Sequence, residues 1–326
     1  MAKLTMVQAL NLALRQEMAR DARVIVMGED VGLDGGVFRV TDGLIQQFGE
    51  ERVVDTPLAE SAIAGMAIGM AVYGLRPVCE IQFSGFSYHC FHQMENHAAR
   101  LRWRTQGRFS VPMVLRMPYG GGVRALEHHS ESREAYWAHT PGLKMVIPSS
   151  PRNARALLLS AIRDPDPVVF YESKALYRAF REEVPEEPET LPIGRARVVQ
   201  EGDAVTLISY GAMLAPTLAA AEQLAAEDGL AAEVIDLLTI SPLDDRTLTD
   251  SILKTGRAAV IHEAPRSFGP GAEIVARLME HAFYYLEAPV ARITGFDIII
   301  PLFSRENDYL PNVGRIVRQV RHILEQ

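Results

Sequence analysis

Asp55-Thr56-Pro57-Leu58-Ala59-Glu60-Ser61, continued by Ala62-Ile63-Ala64-Gly65-Met66-Ala67-Ile68-Gly69-Met70-Ala71, reads as a turn followed by a helix. Pro57 disfavours a helical conformation at Thr56 and suits the first turn of a helix. No charge follows Glu60 until Arg76. A helix apolar on every face is normally buried, so burial on all sides is expected here. Gly65 and Gly69 lie four apart, share a face and let a second backbone come close. Glu60 then stands at the mouth of a buried helix. The helix dipole stabilises its charge there, while desolvation raises its pKa. Taken alone, it also reads as an exposed first-turn glutamate completing a helix start.

On the amino-terminal side, Val7, Leu10, Leu14 and Met18 recur at helical spacing between about Thr5 and Arg20. Val24-Ile25-Val26-Met27 predicts a buried strand, about Thr41 to Phe48 a helix, and Val53-Val54 a short strand. Beyond the central helix, strands are predicted at Pro77 to Gln82, Val111 to Met117, Met145 to Ile147 and Val168 to Tyr171. Helices are predicted over about Ser87 to Gln106 and Pro151 to Arg163. Arg181-Glu182-Glu183-Val184-Pro185-Glu186-Glu187-Pro188-Glu189 is acidic and proline-punctuated and reads as a linker that cannot bury itself. A second α/β pattern follows, with strands at Val205–Ser209, Glu233–Leu237, Ala258–His262 and Val290–Thr294. Its helices are at about Ala215–Glu227 and Val313–Leu324. The expectation is an α/β protein of two domains, residues 1–180 and 196–326, with a linker at 181–195. Each has a mainly parallel sheet flanked by helices.

The 326 residues, 48% hydrophobic and 23% charged, leave room for two cores. A net charge of −8 argues against nucleic acid as the main partner. No apolar run reaches membrane-spanning length, and no signal peptide is read at the start. Cys79 and Cys90 form no metal or redox spacing, so a reducing cytoplasm is expected.

The candidate chemistry lies in loops. Gly28-Glu29-Asp30-Val31-Gly32 does not fit a dinucleotide fingerprint, and no phosphate-loop Gly-Lys-Ser/Thr occurs. Gly120-Gly121-Gly122 has no adjacent helix start to hold a phosphate. After it comes Val123-Arg124-Ala125-Leu126-Glu127-His128-His129-Ser130-Glu131-Ser132, following a strand whose carboxyl end is where ligands of parallel sheets bind. A histidine there binds a substrate carboxylate or moves protons, or is simply a solvated loop residue. Gln82 and Phe86 flank a turn and read equally as grips for a planar heterocycle or as a cap and a core aromatic. His89 and His92 share a helix face, but no third ligand follows at a suitable spacing, so no metal is expected in this chain.

Four pieces then match one family together. They are Met27-Gly28-Glu29-Asp30-Val31-Gly32, Asp55-Thr56-Pro57-Leu58-Ala59-Glu60, Glu80-Ile81-Gln82-Phe83 and His129-Ser130-Glu131-Ser132. The chain resembles the β subunit of the E1 component of thiamine-diphosphate-dependent 2-oxo acid dehydrogenases. The likeness runs nearly end to end, including Lys254-Thr255-Gly256-Arg257 and Ala288-Pro289-Val290. It implies a transketolase-like pyrimidine-binding domain and a transketolase C-terminal-like domain for subunit and E2 contacts. It also implies an α2β2 heterotetramer whose α subunit holds Mg2+ and the diphosphate, in keeping with the missing phosphate cradle. Carried over by motif, Glu60 is the glutamate that hydrogen-bonds the pyrimidine ring nitrogen. Sharing a proton there promotes loss of the cofactor's C2 proton. Phe86 falls where an aromatic stacks on the pyrimidine, and Leu58 and Gln82 line the same pocket. His129 matches an active-site histidine of substrate binding and lipoyl acylation, with His128 as its neighbour. His92 stands where family members often carry an acid. Asp164-Pro165-Asp166 partly matches a stretch with which some relatives bind a monovalent cation.

The reaction so implied is oxidative decarboxylation of a 2-oxo acid with acyl transfer to lipoyl-E2. Ala135-Tyr136-Trp137-Ala138-His139 and Pro141-Gly142-Leu143-Lys144 look slightly more like branched-chain than pyruvate members. An acetoin dehydrogenase or other transketolase-type subunit is a second reading. A non-catalytic assembly subunit is a third, against which the intact Glu60 and His129 argue.

Overall fold

The computed structural model describes residues 2–325. Met1 and Gln326, the outer ends of the two expected domains, lie outside the described residues. The chain divides into two compact units. One takes the chain up to Tyr119 and again Tyr136–Ile193; the other takes Gly120–Ala135 and the chain from Gly194 onward.

In the first unit, strands β1 (Ala2–Leu4), β2 (Val24–Gly28), β3 (Val53–Asp55), β4 (Arg76–Glu80), β5 (Val114–Tyr119), β6 (Lys144–Val146), β7 (Val168–Ser173) and β8 (Glu182–Val184) alternate with helices. The order β6-β7-β5-β4-β2-β3 is parallel throughout. All residues of β2, β5 and β7 are buried, as expected of strands covered on both faces. Helix Met6–Arg20 starts with a capping box between Thr5 and Gln8 and buries Val7, Leu10, Leu14 and Met18. Its Glu17 is buried but accepts from Arg20 and from Arg163 of helix Pro151–Arg163. Burial pulls the Glu17 pKa up; the two arginines outweigh it and hold the carboxyl below its ordinary value.

Three expectations need correction. The acidic run is not a featureless linker. Glu182–Val184 pairs antiparallel with β1, and Val184 is buried. Arg152 donates to Glu182 and Glu189, and Arg155 to the Glu186 carbonyl, so helix Pro151–Arg163 compensates the charges. The single long helix over 87–106 is broken into Tyr88–Gln93, a π turn at Met94–Ala98, and Ala99–Arg104. There the Ala99 amide reaches back to the Met94 carbonyl, one residue beyond the α-helical partner. The helix Glu60–Val72 is not buried on all sides by this chain. Ile63, Ala64, Ala67 and Ala71 face the core, while Met66 is 47% and the following Tyr73 is 89% exposed. A Cβ on Gly69 would meet nothing within 4 Å.

The second unit has strands β9 (Arg197–Gln200), β10 (Val205–Ser209), β11 (Ala232–Asp236), β12 (Thr239–Ser241), β13 (Ala258–Ile261) and β14 (Ala291–Ile293). Its sheet runs β14-β13-β10-β11-β9, parallel except for β9. Leu207, Val234 and Ile261 pack under helices Leu214–Asp228 and Val313–Leu324. Thr206, pointing the other way, hydrogen-bonds Ser251 and Thr255 of helix Asp245–Thr255. That helix and Pro270–Ala282 are elements that hydrophobic periodicity did not separate, although Asp244 caps the first and Pro270 starts the second. No helix among the described residues is long and apolar enough to cross a membrane.

Candidate active site

Strands β2, β3 and β4 are in register at Gly28, Asp55 and Glu80, so their carboxyl ends open together. Three of the four family-like pieces emerge from this edge. The Gly28 carbonyl accepts from the Thr56 amide at 2.9 Å. Asp55 accepts from the amides of Gly32, at 2.6 Å, and Leu33, at 3.1 Å. The first turn of helix Glu60–Val72 therefore sits against the loop that carries Glu29 and Asp30.

Glu60 is the first helical residue and is 7% exposed. Its carboxylate makes no hydrogen bond or ion pair among the described residues. Its charge acts on its neighbours. Burial, then the Glu60 charge, then Asp30 hold the Glu29 carboxyl above its ordinary range. Burial, then Glu60, push the Cys90 thiol up to about 12. A buried acid beside a second acid, without a donor of its own, is suited to share a proton with a ligand nitrogen.

Gln82 is half-buried, and its amide nitrogen donates to Asp30 Oδ2 at 2.9 Å. Phe86 closes a single 3₁₀ turn, edge-on to Phe83 with ring centroids 5.8 Å apart. Leu58 is 79% exposed. The structure thus gathers Glu60, Gln82, Phe86 and Leu58 in one unit. His129 belongs to the other, since Gly120–Ala135 packs with the second unit instead of staying with the strand that precedes it. The cause is a set of buried carboxylates. Glu263 accepts from the Gly121 amide, Glu306 from those of Gly122 and Arg124, and Tyr210 donates to Glu134 at 2.6 Å. Burial pushes the Glu134 carboxyl up to about 7. His128 and His129 sit on the short helix Glu127–Ser130, ring centroids 4.3 Å apart. A cleft of about 480 Å3 is lined by Ser130, Ser132 and Arg133, which follow the histidines in the chain, and by Ile298, Ile299 and Ile300.

Behind the first edge is a network that sequence patterning passed over. Arg116 of β5 donates to Glu80 of β4 at 2.8 Å, and to both oxygens of Glu172 of β7 at 2.7 and 2.9 Å. Tyr177 also donates to Glu172. All four are buried. Burial alone would lower the Arg116 pKa; the charges of Glu172 and Glu80 reverse this and hold it above its ordinary value. The available signal was a charge set among the apolar residues of each of three strands. At the partly matching cation stretch, Asp164 takes Lys144 on both oxygens at 2.7 Å and Asp166 takes Arg102 at 2.5 Å. Cations of the chain itself thus pair with both acids.

Comparison with known proteins places this geometry. Residues 2–179 match the model of the transketolase pyrimidine binding domain, and residues 194–316 that of the transketolase C-terminal domain. A solved structure described as a split gene transketolase, an inactive β4 tetramer, superposes with a TM-score of 0.80 at 22% identity, covering 99% of both chains. Both units are therefore of the transketolase type. Pyruvate dehydrogenase E1 component subunit β of Staphylococcus epidermidis is 53% identical over 325 residues, covering 100% of each chain. The counterpart from Acholeplasma laidlawii is 49% identical over 323 residues, covering 99% of this chain and 98% of the relative. The chain belongs to the E1 β-subunit family of the thiamine-diphosphate-dependent 2-oxo acid dehydrogenases.

Proposed function

We propose that the chain is the β subunit of an E1 component that oxidatively decarboxylates pyruvate and passes the acyl group to lipoyl-E2. In this reading it acts as an α2β2 heterotetramer in a reducing cytoplasm. The names of the relatives support pyruvate. They move the substrate away from the branched-chain acids suggested by residues 135–144. The observation that carries the catalytic reading is the buried, unpartnered carboxylate of Glu60 beside Glu29. Thiamine diphosphate, when bound, supplies the carbon nucleophile for the 2-oxo group. Glu60 holds a proton against the pyrimidine ring nitrogen, Phe86 offers a ring face, and Leu58 and Gln82 complete the pocket. The chain has no phosphate loop, so diphosphate and Mg2+ fall to the α subunit. The open face of helix Glu60–Val72, with Gly69, Met66 and Tyr73, fits coverage by that subunit.

Co-expression with α and a screen of 2-oxo acids using a dye acceptor tests the reading. Pyruvate is expected to turn over fastest; faster branched-chain turnover would reverse the substrate. Calorimetry is expected to find weak or no cofactor binding by β alone and tight Mg2+-dependent binding once α is added. Tight binding to β alone would remove the shared site. His129→Ala is expected to lower lipoyl-dependent turnover more than cofactor affinity, with His128→Ala milder. Identical behaviour of the two variants would leave His129 without a special role.

A further inference from the structure

The glycine loop that holds no phosphate does hold anions: two carboxylates of the chain itself. The Gly121 amide donates to Glu263 Oε2 at 2.7 Å. The amides of Gly122 and Arg124 each donate at 2.9 Å to Glu306, one to each oxygen. Glu263 is 3% and Glu306 2% exposed; the bond to Gly121 is shielded from water, and those to Gly122 and Arg124 are partly so. The Gly120 amide bonds the Glu131 carbonyl at 3.1 Å and closes the neck of the loop. Glycine is required by the fit. Gly120 has φ +83°, and a Cβ on it would come within 2.7 Å of a Glu263 oxygen. A Cβ on Gly121 would come within 3.0 Å of Glu306. Arg124 also takes a left-handed φ of +56°, a conformation that surrounding contacts must hold.

This loop carries the two histidines. Val123 inside the clamp and Leu126 between it and the histidines are exposed, and helix Glu127–Ser130 spans only four residues. So short a helix is not stable by itself. Its position depends on how the chain is anchored on both sides, by the glycine loop before it and by the Tyr210–Glu134 bond after it. We propose that Glu306, assisted by Glu263, is a positioning residue that fixes the histidine loop through its backbone amides. This rests on the reading of His129 given above and extends it to residues 142 to 184 positions from the amides they hold.

The test uses Glu306→Gln in enzyme reassembled with its α subunit. An amide offers one acceptor oxygen where the carboxylate offers two, so one of the two amide partners is lost. Hydrogen exchange of the Gly122 and Arg124 amides and tryptic cleavage after Arg124 are expected to rise roughly tenfold or more, as for loss of a bond to a charged group. Lipoyl-dependent kcat should fall by a comparable factor, while cofactor affinity stays unchanged. A Glu306→Gln/His129→Ala double variant should turn over no more slowly than His129→Ala alone, a non-additivity that a merely structural role would not give. Wild-type protection of the loop in Glu306→Gln, or a loosened loop with full turnover, would overturn the proposal. Should Glu306→Gln fail to assemble, Glu263→Ala, which removes the acceptor of the Gly121 amide, reads the same loop with the same outcomes. Full turnover by His129→Ala would instead overturn the histidine assignment. Loop exchange in Glu306→Gln would still judge the clamp.

Discussion

Glu60→Gln is expected to give an enzyme that assembles and binds cofactor but exchanges the cofactor C2 proton roughly 10²–10⁴-fold more slowly, the usual worth of a positioned acid–base group. Gln keeps the size and the polarity. It cannot share a proton with a ring nitrogen as a carboxyl does. Folding should survive, because a neutral amide at a buried position carries no charge-desolvation cost. The surroundings favour this outcome. Glu60 is buried without a partner among the described residues, and its charge already raises the carboxyl of Glu29. Removing that charge relieves a repulsion, so the variant chain should be no less stable than the wild type. The measurement is C2 hydrogen–deuterium exchange of the bound cofactor in the assembled enzyme, beside a cofactor titration. Wild-type exchange in a variant that binds normally would reduce Glu60 to a helix-start residue.

Local pattern carried the elements whose causes are local. Strand Val205–Ser209 and helices Pro151–Arg163 and Val313–Leu324 lie where periodicity placed them, and the Glu60 helix begins at Glu60. What sequence could not show depends on partners far along the chain. The acidic run becomes strand β8 because Ala2–Leu4 pairs with it and Arg152 and Arg155 meet its acids. The histidine loop joins the second unit because Glu263 and Glu306 reach its amides from more than 140 residues away. Nothing in Gly120-Gly121-Gly122 announces that its anion is a glutamate. The helix Glu60–Val72 is a different case. Its all-apolar pattern marks a buried helix, yet this chain buries one face only. The pattern records a surface that must be covered, and the chain alone does not say by what.

Arg116→Met is expected to cost about 3–5 kcal/mol, the loss usual when one partner of a buried ion network is removed. Arg116 is the only cation donating to Glu80 and Glu172 among the bonds described for those two acids, which are 4% and 0% exposed. Without it, two buried carboxylates flank β5 with no cation between them and only the Tyr177 hydroxyl left on Glu172. Arg116→Lys should recover part of the loss, since an ammonium keeps the charge but not the two-pronged grip on Glu172. Combining Arg116→Met with Glu80→Gln and Glu172→Gln should recover more, because no charge is then left buried. The pH dependence has a definite sign. Burial already holds the Glu80 carboxyl above its ordinary value against the pull of Arg116, and in Arg116→Met it rises further above the unfolded value of about 4.3. Stability of that kind is present below the unfolded pKa and lost as pH rises through the folded pKa. The deficit against wild type should therefore be largest at pH 8 and shrink toward pH 5. Urea unfolding of the chain across that range is the measurement. A deficit independent of pH would mean that lost packing, and not uncompensated charge, is what Arg116→Met exposes.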